Sequence, residues 1–194
     1  KVNEIGTPVL KVFEDERPEY TITDMQGFYD FASMVNTGTT FQDKTIKLGA
    51  DIVFNTGSAA DYATQAPKYT WKPIGYDYGV APFKGTFDGQ GHTVSGMYVN
   101  SSAHYNGLFG SVAGATIKNL KVTNSYINST GQWVGSIVGR GYGTFEKLYS
   151  NAIVKSSRAF LGGLFGQLEN VAKSQLKECW FDGKIENHGR MTGG

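Results

Sequence analysis

A single cysteine, Cys179, in 194 residues excludes an intrachain disulfide, so thiol usage does not reveal the redox compartment. It stands in LKECWF, alternating with apolar neighbours, and reads as a small core residue. Charge of one sign is also lacking. Eighteen basic residues face seventeen acidic ones, the formal net charge is +1, and neither sign gathers into a run. That removes the electrostatic footprint of a nucleic-acid partner or an anionic membrane. No apolar run approaches the ~20 residues that cross a bilayer, so no membrane insertion by this segment is expected. No charged-then-apolar leader stands at Lys1, as in a secreted protein whose signal peptide has been removed.

Chemical signatures are equally sparse. There is no HExxH, and His92, His104 and His188 lie far apart with no carboxylate at metal-ligand spacing. Neither a metal nor a cofactor is therefore expected. Ser136 lies in GSIVG, which is not a nucleophile elbow, and no catalytic residue is assigned.

Glycine is what the chain has in excess: 26 residues, roughly twice the ~7% average, beside 13% aromatics and only five prolines. This favours many short strands joined by tight turns. The densest stretch, KGTFDGQGHTVSGMYV (84–99), matches neither the Walker nor the dinucleotide pattern, and no helix opens behind it to receive phosphate. DGQG suits a turn, with Asp88 bonding the backbone ahead and glycine supplying positive φ. His92, after the turn, reads as a hydrogen-bonded structural side chain.

The glycines also recur. NGLFG (106–110), VGSIVG (134–139) and LGGLFG (161–166) share a small-apolar-apolar-Gly core, and Leu108, Ile137 and Leu164 are spaced by 29 and 27 residues. An apolar pattern at positions one, four and six accompanies them: Val94, Met97, Val99; Ile117, Leu120, Val122; Phe145, Leu148, Ser150; Leu176, Cys179, Phe181. A unit of this length cannot bury its apolar face alone. Stacked on copies of itself it can, as a solenoid of parallel strands ~4.7–4.9 Å apart. GRMTGG (189–194) aligns with RAFLGG (158–163), so a fifth unit is expected to begin there and the chain is expected to be a fragment.

The first half differs. TDMQGFYDFASMVNTG (23–38) predicts an amphipathic helix, N-capped by Asp24 or Thr23, with Phe28, Phe31, Ala32 and Val35 on one face and Gly38 ending it. KTIKLGADIVF (44–54) alternates as a strand does. Three regions follow: an arm or linker over 1–22, a helix cap, first strand and long connection over 23–82, and truncated repeats over 83–194. The fold class expected is all-β, a parallel β-helix whose open end is covered by the N-terminal helix.

WKPIG (71–75), FKGTFDGQGHTVSGMYV (83–99) and the GLFG and GSIVG blocks together resemble the GLUG-motif proteins. These are repeat-bearing bacterial secreted and surface proteins, adhesin-like molecules and regions that accompany IgA-specific metallopeptidases among them. The likeness runs in order through residues 24–194. It implies a right-handed parallel β-helix outside a bacterial cell, extracellular or on the surface, and it supplies no catalytic residues.

Side chains alternate along a strand, so positions between inward residues face out. The repeat alignment puts Tyr98, Lys121, Tyr149 and Trp180 in one outward column. Neighbouring columns are Ser95, Lys118, Glu146, Lys177 and Gly96, Asn119, Lys147, Glu178, whose acids sit beside lysines rather than pairing as glycoside cleavage requires. Exposed rings at regular spacing can stack on sugars or anchor a protein, or can stabilise neighbouring strands. Tyr62, Tyr69, Tyr76 and Tyr78 form a second candidate surface. Asn100-Ser-Ser and Asn128-Ser-Thr match the glycosylation pattern, incidentally if the source is bacterial. The function expected is a non-catalytic extracellular module that recognises a glycan or a host or cell-surface protein and belongs to a larger polypeptide. The alternatives are a polysaccharide lyase or hydrolase and a structural spacer.

Overall fold

A computed structural model describes residues 17–76, 82–158 and 160–187. Among these residues there is one α-helix, and the rest of the regular structure is mostly strand. The order is β1 (Glu19–Ile22), α1 (Met25–Asn36), β2 (Thr45–Leu48), β3 (Ile52–Val53), β4 (Thr86–Asp88), β5 (Thr93–Ser95) and β6 (Tyr98–Ser101). Then come β7 (Phe109–Thr123), β8 (Tyr126–Ser129), β9 (Val138–Ser150), β10 (Ile153–Ser156), β11 (Phe165–Leu168), β12 (Gln175–Phe181) and β13 (Lys184–Asn187).

The strands form two parallel sheets. In the nine-stranded sheet the order β1-β2-β4-β7-β5-β3 branches at β7 to β9, which also pairs with β11 and β12. The four-stranded sheet runs β6-β8-β10-β13, and neither sheet closes into a barrel. Parallel register aligns equivalent residues into columns. Tyr20, Ile46, Phe87, Ile117 and Phe145 follow one another across β1, β2, β4, β7 and β9, and all five are buried. Val99, Ile127 and Val154 do the same in the smaller sheet. Each repeat contributes one apolar side chain per column, which is why no repeat has a core of its own.

The sequence alignment of the last three apolar sets matches this register, and the first set is a correction. Phe87, not Val94, stands beside Ile117, and Val94 stands beside Val122. Val99 belongs to the other sheet, opposite Ile127. The cause is the DGQG turn. Later repeats bend at single left-handed residues, Asn119, Lys147 and Glu178, with φ of 52, 53 and 54°. The first uses a longer turn with Gln90 and Gly91 at φ 52 and 83°, in which the Gln90 amide donates to Asp88 Oδ1 at 3.0 Å.

The glycines of the repeated motif serve close approach rather than positive φ. Gly110 and Gly139 occupy neighbouring strands, and a Cβ on Gly139 would lie 2.7 Å from the Gly110 carbonyl oxygen. One on Gly110 would lie 2.8 Å from the carbonyl oxygen of Gly75.

Helix α1 forms as its sequence predicts. Asp24 Oδ1 accepts from the Gly27 amide at 2.8 Å, Phe28, Phe31, Ala32 and Val35 are buried, and Gly38 follows the end at φ 114°. The Phe28 ring meets Phe54, Trp71 and Phe87 at centroid distances of 5.6, 5.4 and 5.9 Å. WKPIG fastens the helix to the repeats. Asn36 accepts from the Gly75 amide and donates to the Pro73 carbonyl, while Trp71 Nε1 donates to the Leu108 carbonyl. Burying each such aromatic contributes about 1.5–3 kcal/mol. Of the arm expected over 1–22, residues 1–16 lie outside the described residues, and Glu19–Ile22 form β1. The expected start of a fifth unit at 189–194 also lies outside them.

Candidate functional site

Three of the four residues expected in the outward column do stand side by side. Lys121 on β7 is opposite Tyr149 on β9, which is opposite Trp180 on β12. The flanking positions Leu120 and Leu148, and Val122 and Ser150, are buried, so alternation turns the column outward. Trp180 is 67% exposed, Lys121 is exposed and Tyr149 is half-buried. With the corner residues Asn119, Lys147 and Glu178 they line an open groove of about 500 Å³. Lys147 Nζ lies 3.8 Å from Glu146, and Glu178 lies 3.7 Å from Lys177 Nζ. Lys121 has no carboxylate within 4 Å among the described residues. Its charge adds to the larger effects of the Thr93 amide and His92 that hold the Asp51 carboxyl below its ordinary value.

Tyr98 is a correction. It lies on β6 in the four-stranded sheet, stacked on Tyr126 at 5.9 Å and 16°. Both rings are buried, and the buried Tyr62 meets Tyr98 edge-on at 6.0 Å. The segment after β3 covers them. Asn124 Nδ2 donates to the Gly57 carbonyl, and Asn124 Oδ1 accepts from the Ala59 amide. Thr93 on β5, not Tyr98, continues the Lys121 column. The tyrosines of the connection do not form one open surface, since Tyr62 is buried while Tyr76 is 38% exposed; Tyr78 lies outside the described residues.

The neighbouring columns are ion-paired. Asp88, Lys118, Glu146 and Lys177 follow one another in register, with Asp88 where Ser95 was expected. Lys118 Nζ lies 3.4 Å from Asp88, and Lys177 Nζ lies 3.4 Å from Glu146. Burial pushes the Asp88 carboxyl up, but the Asn119 amide at 2.9 Å, the Gln90 N–H and Lys118 outweigh it and hold it below its ordinary value. Gly96, expected beside Asn119, packs against the Asn55 backbone instead.

The other singled-out residues have structural partners. His92 Nδ1 lies 3.2 Å from Asp51, and His104 Nδ1 accepts from the Gln132 amide; His188 lies outside the described residues. The buried Ser136 hydroxyl donates to the Gly163 carbonyl at 2.6 Å. Cys179 is half-buried against the core, and burial pushes its thiol up. Among the described residues no three His, Cys, Asp or Glu side chains gather as a metal site would require, and no helix is long and apolar enough to cross a membrane.

One aromatic column escaped the sequence reading. Tyr105, Trp133 and Phe160 stack at 4.8 Å and 5.9 Å with interplanar angles of 6° and 13°. All three backbones are left-handed, with φ of 61, 60 and 64°. The Arg140 guanidinium lies 4.6 Å from the Trp133 ring, and Trp133 Nε1 donates to Gln167 Oε1. The signal was present: an aromatic stands two residues before Gly107, Gly135 and Gly162. These rings stack on one another, so their faces are largely occupied.

No family model matches the sequence. Over 88 residues, 44% of the chain, it is 34% identical to halomucin of Haloquadratum walsbyi, and the match spans 1% of that protein. Among solved structures, the crystal structure of a candidate immunoglobulin A1 protease from Bacteroides ovatus shares the fold, with a TM-score of 0.63 at 20% identity. That likeness covers 87% of this chain and 48% of the Bacteroides chain, so this chain spans about half the length of that neighbour.

Proposed function

We propose that the two parallel sheets are coils of a right-handed parallel β-helix of GLUG type, with α1 over its open end. On this reading the chain is a non-catalytic recognition module of a secreted or cell-surface protein. It binds a glycan, or a host or cell-surface protein, through the groove of Lys121, Tyr149 and Trp180. The observation that carries the reading is that Lys121, Tyr149 and Trp180 share one outward column that lines an open groove, while Tyr98 and Tyr126 are buried under the chain itself. Large exposed aromatics concentrate where partners dock. The names of the two similar proteins, halomucin and a candidate immunoglobulin A1 protease, favour a place outside the cell. The enzyme alternative has less support, because Glu146 lies between Lys118 and Lys177 in the register and Glu178 stands beside Lys177.

An array of glycans and extracellular matrix proteins, probed with the wild type and with Tyr149→Ala/Trp180→Ala, tests the proposal. A hit that the double change abolishes while the melting transition is retained supports it. A blank array, or hits indifferent to the double change, overturns it. Depolymerisation of an acidic polysaccharide that is lost on Glu178→Gln would replace it with an enzyme.

A further inference from the structure

The groove also carries a charge pattern, and we infer that its ligand is an anionic sugar, a uronate or sialic acid unit whose ring stacks on Trp180 and Tyr149 while its carboxylate meets Lys121. The inference rests on the proposed recognition role of this groove and names the ligand class.

The geometry of a parallel ladder supports it. Neighbouring strands lie ~4.7–4.9 Å apart, so one ring on Tyr149 and Trp180 spans two strands and its substituent falls over the third. Lys121 occupies that third position. The groove's other charges are committed elsewhere: Lys147 lies near Glu146 and Glu178 near Lys177. Lys121 alone among them has no ion pair among the described residues, and Asp51, the acid whose carboxyl feels its charge, is already engaged by the Thr93 amide and by His92. An unpaired ammonium in register with two aromatic side chains complements the carboxylate of a pyranose whose C–H face lies on those rings. The same position disfavours a cationic ligand. In the smaller sheet the contrast is complete, since Lys155 is paired to Glu186 at 2.7 Å and its tyrosine column is covered.

Paired probes that differ only in charge provide the test. Hexagalacturonate and sialyllactose are titrated against their carboxyl methyl esters, by calorimetry, with the wild type, Lys121→Met and Lys173→Met. Lys173 is exposed and lies outside the groove, so its variant controls for loss of surface charge. The inference predicts that at least one free acid binds tenfold or more tightly than its ester. Lys121→Met should abolish that preference with an unchanged melting transition, whereas Lys173→Met should retain it. Higher salt should weaken the acid and leave the ester unaffected. Equal binding of acid and ester, or a preference that survives Lys121→Met, overturns the inference and leaves the glycan platform standing. If neither acid binds, the inference fails. The array with the double aromatic variant then decides separately whether the groove recognises anything.

Discussion

The two sheets of this protein each carry an outward aromatic column, and the columns have opposite fates. On the smaller sheet Tyr98 and Tyr126 stack, and Ala59 and Tyr62 close over them, so that a potential surface becomes a second small core. On the larger sheet Tyr149 and Trp180 stand in an equivalent register relationship, and the groove they line with Lys121 is open. Repetition makes columns; a single non-repeating excursion decides which column meets solvent. The excursion after β3 is held by Asn124, one repeat residue that bonds both Gly57 and Ala59.

The largest effect that would sharpen this comparison is on stability. Tyr126→Ala removes a buried ring between Tyr98 and Lys155, and should cost about 3 kcal/mol in chemical denaturation. A loss below about 1 kcal/mol would mean that the covered column is not core. Next is Gly139→Ala, which drives a Cβ into the Gly110 carbonyl where adjacent repeats touch. It should cost about 1–3 kcal/mol by the same measurement, with strand content retained by circular dichroism.

Acid should separate the ion-paired column from the aromatic ones. Asp88 titrates below its ordinary value in the folded state, so its contribution is fully present above the unfolded value of ~3.9 and is lost as pH falls through the folded value. Asp88→Asn should therefore lower stability at neutral pH and lose less than the wild type between neutrality and acid. Parallel loss in both would show that the Lys118 and Asn119 contacts do not matter. The smallest effect is expected at Trp180→Ala, whose side chain is mostly exposed. Stability should change by no more than about 0.5 kcal/mol, against the several lost at Tyr126.

Much of this architecture was legible in the sequence because it is periodic. Ile117, Phe145 and Leu176 were aligned correctly, as were Lys121, Tyr149 and Trp180, because the strands β7, β9 and β12 that carry them bend at equivalent single residues. Helix α1 was legible from Asp24, the Phe28 face and Gly38, all local signals. Tyr98 was misplaced because the DGQG turn makes the first repeat longer, and a one-dimensional pattern cannot distinguish a longer turn from a shifted strand. Burial of Tyr62 was not legible at all. It depends on Asn124 reaching across 65 residues of sequence to the Ala59 amide, and no spacing rule encodes that contact. The Tyr105, Trp133 and Phe160 stack is present in the sequence as a spacing, but all three residues are left-handed, outside the strand alternation that reveals the other columns.

The chain contains three tryptophans, Trp71 in the core under α1, Trp133 in the closed stack and Trp180 in the groove, so one spectrum can distinguish the three environments. The most direct test is a proton–nitrogen correlation spectrum of the three indole N–H signals, assigned by single Trp→Phe variants and followed as hexagalacturonate and then sialyllactose are added. The account predicts that the Trp180 signal moves with at least one of these acids while those of Trp71 and Trp133 stay in place. Movement of Trp133 without Trp180, or no movement with either acid, would contradict the assignment of the open column as an acidic-sugar platform.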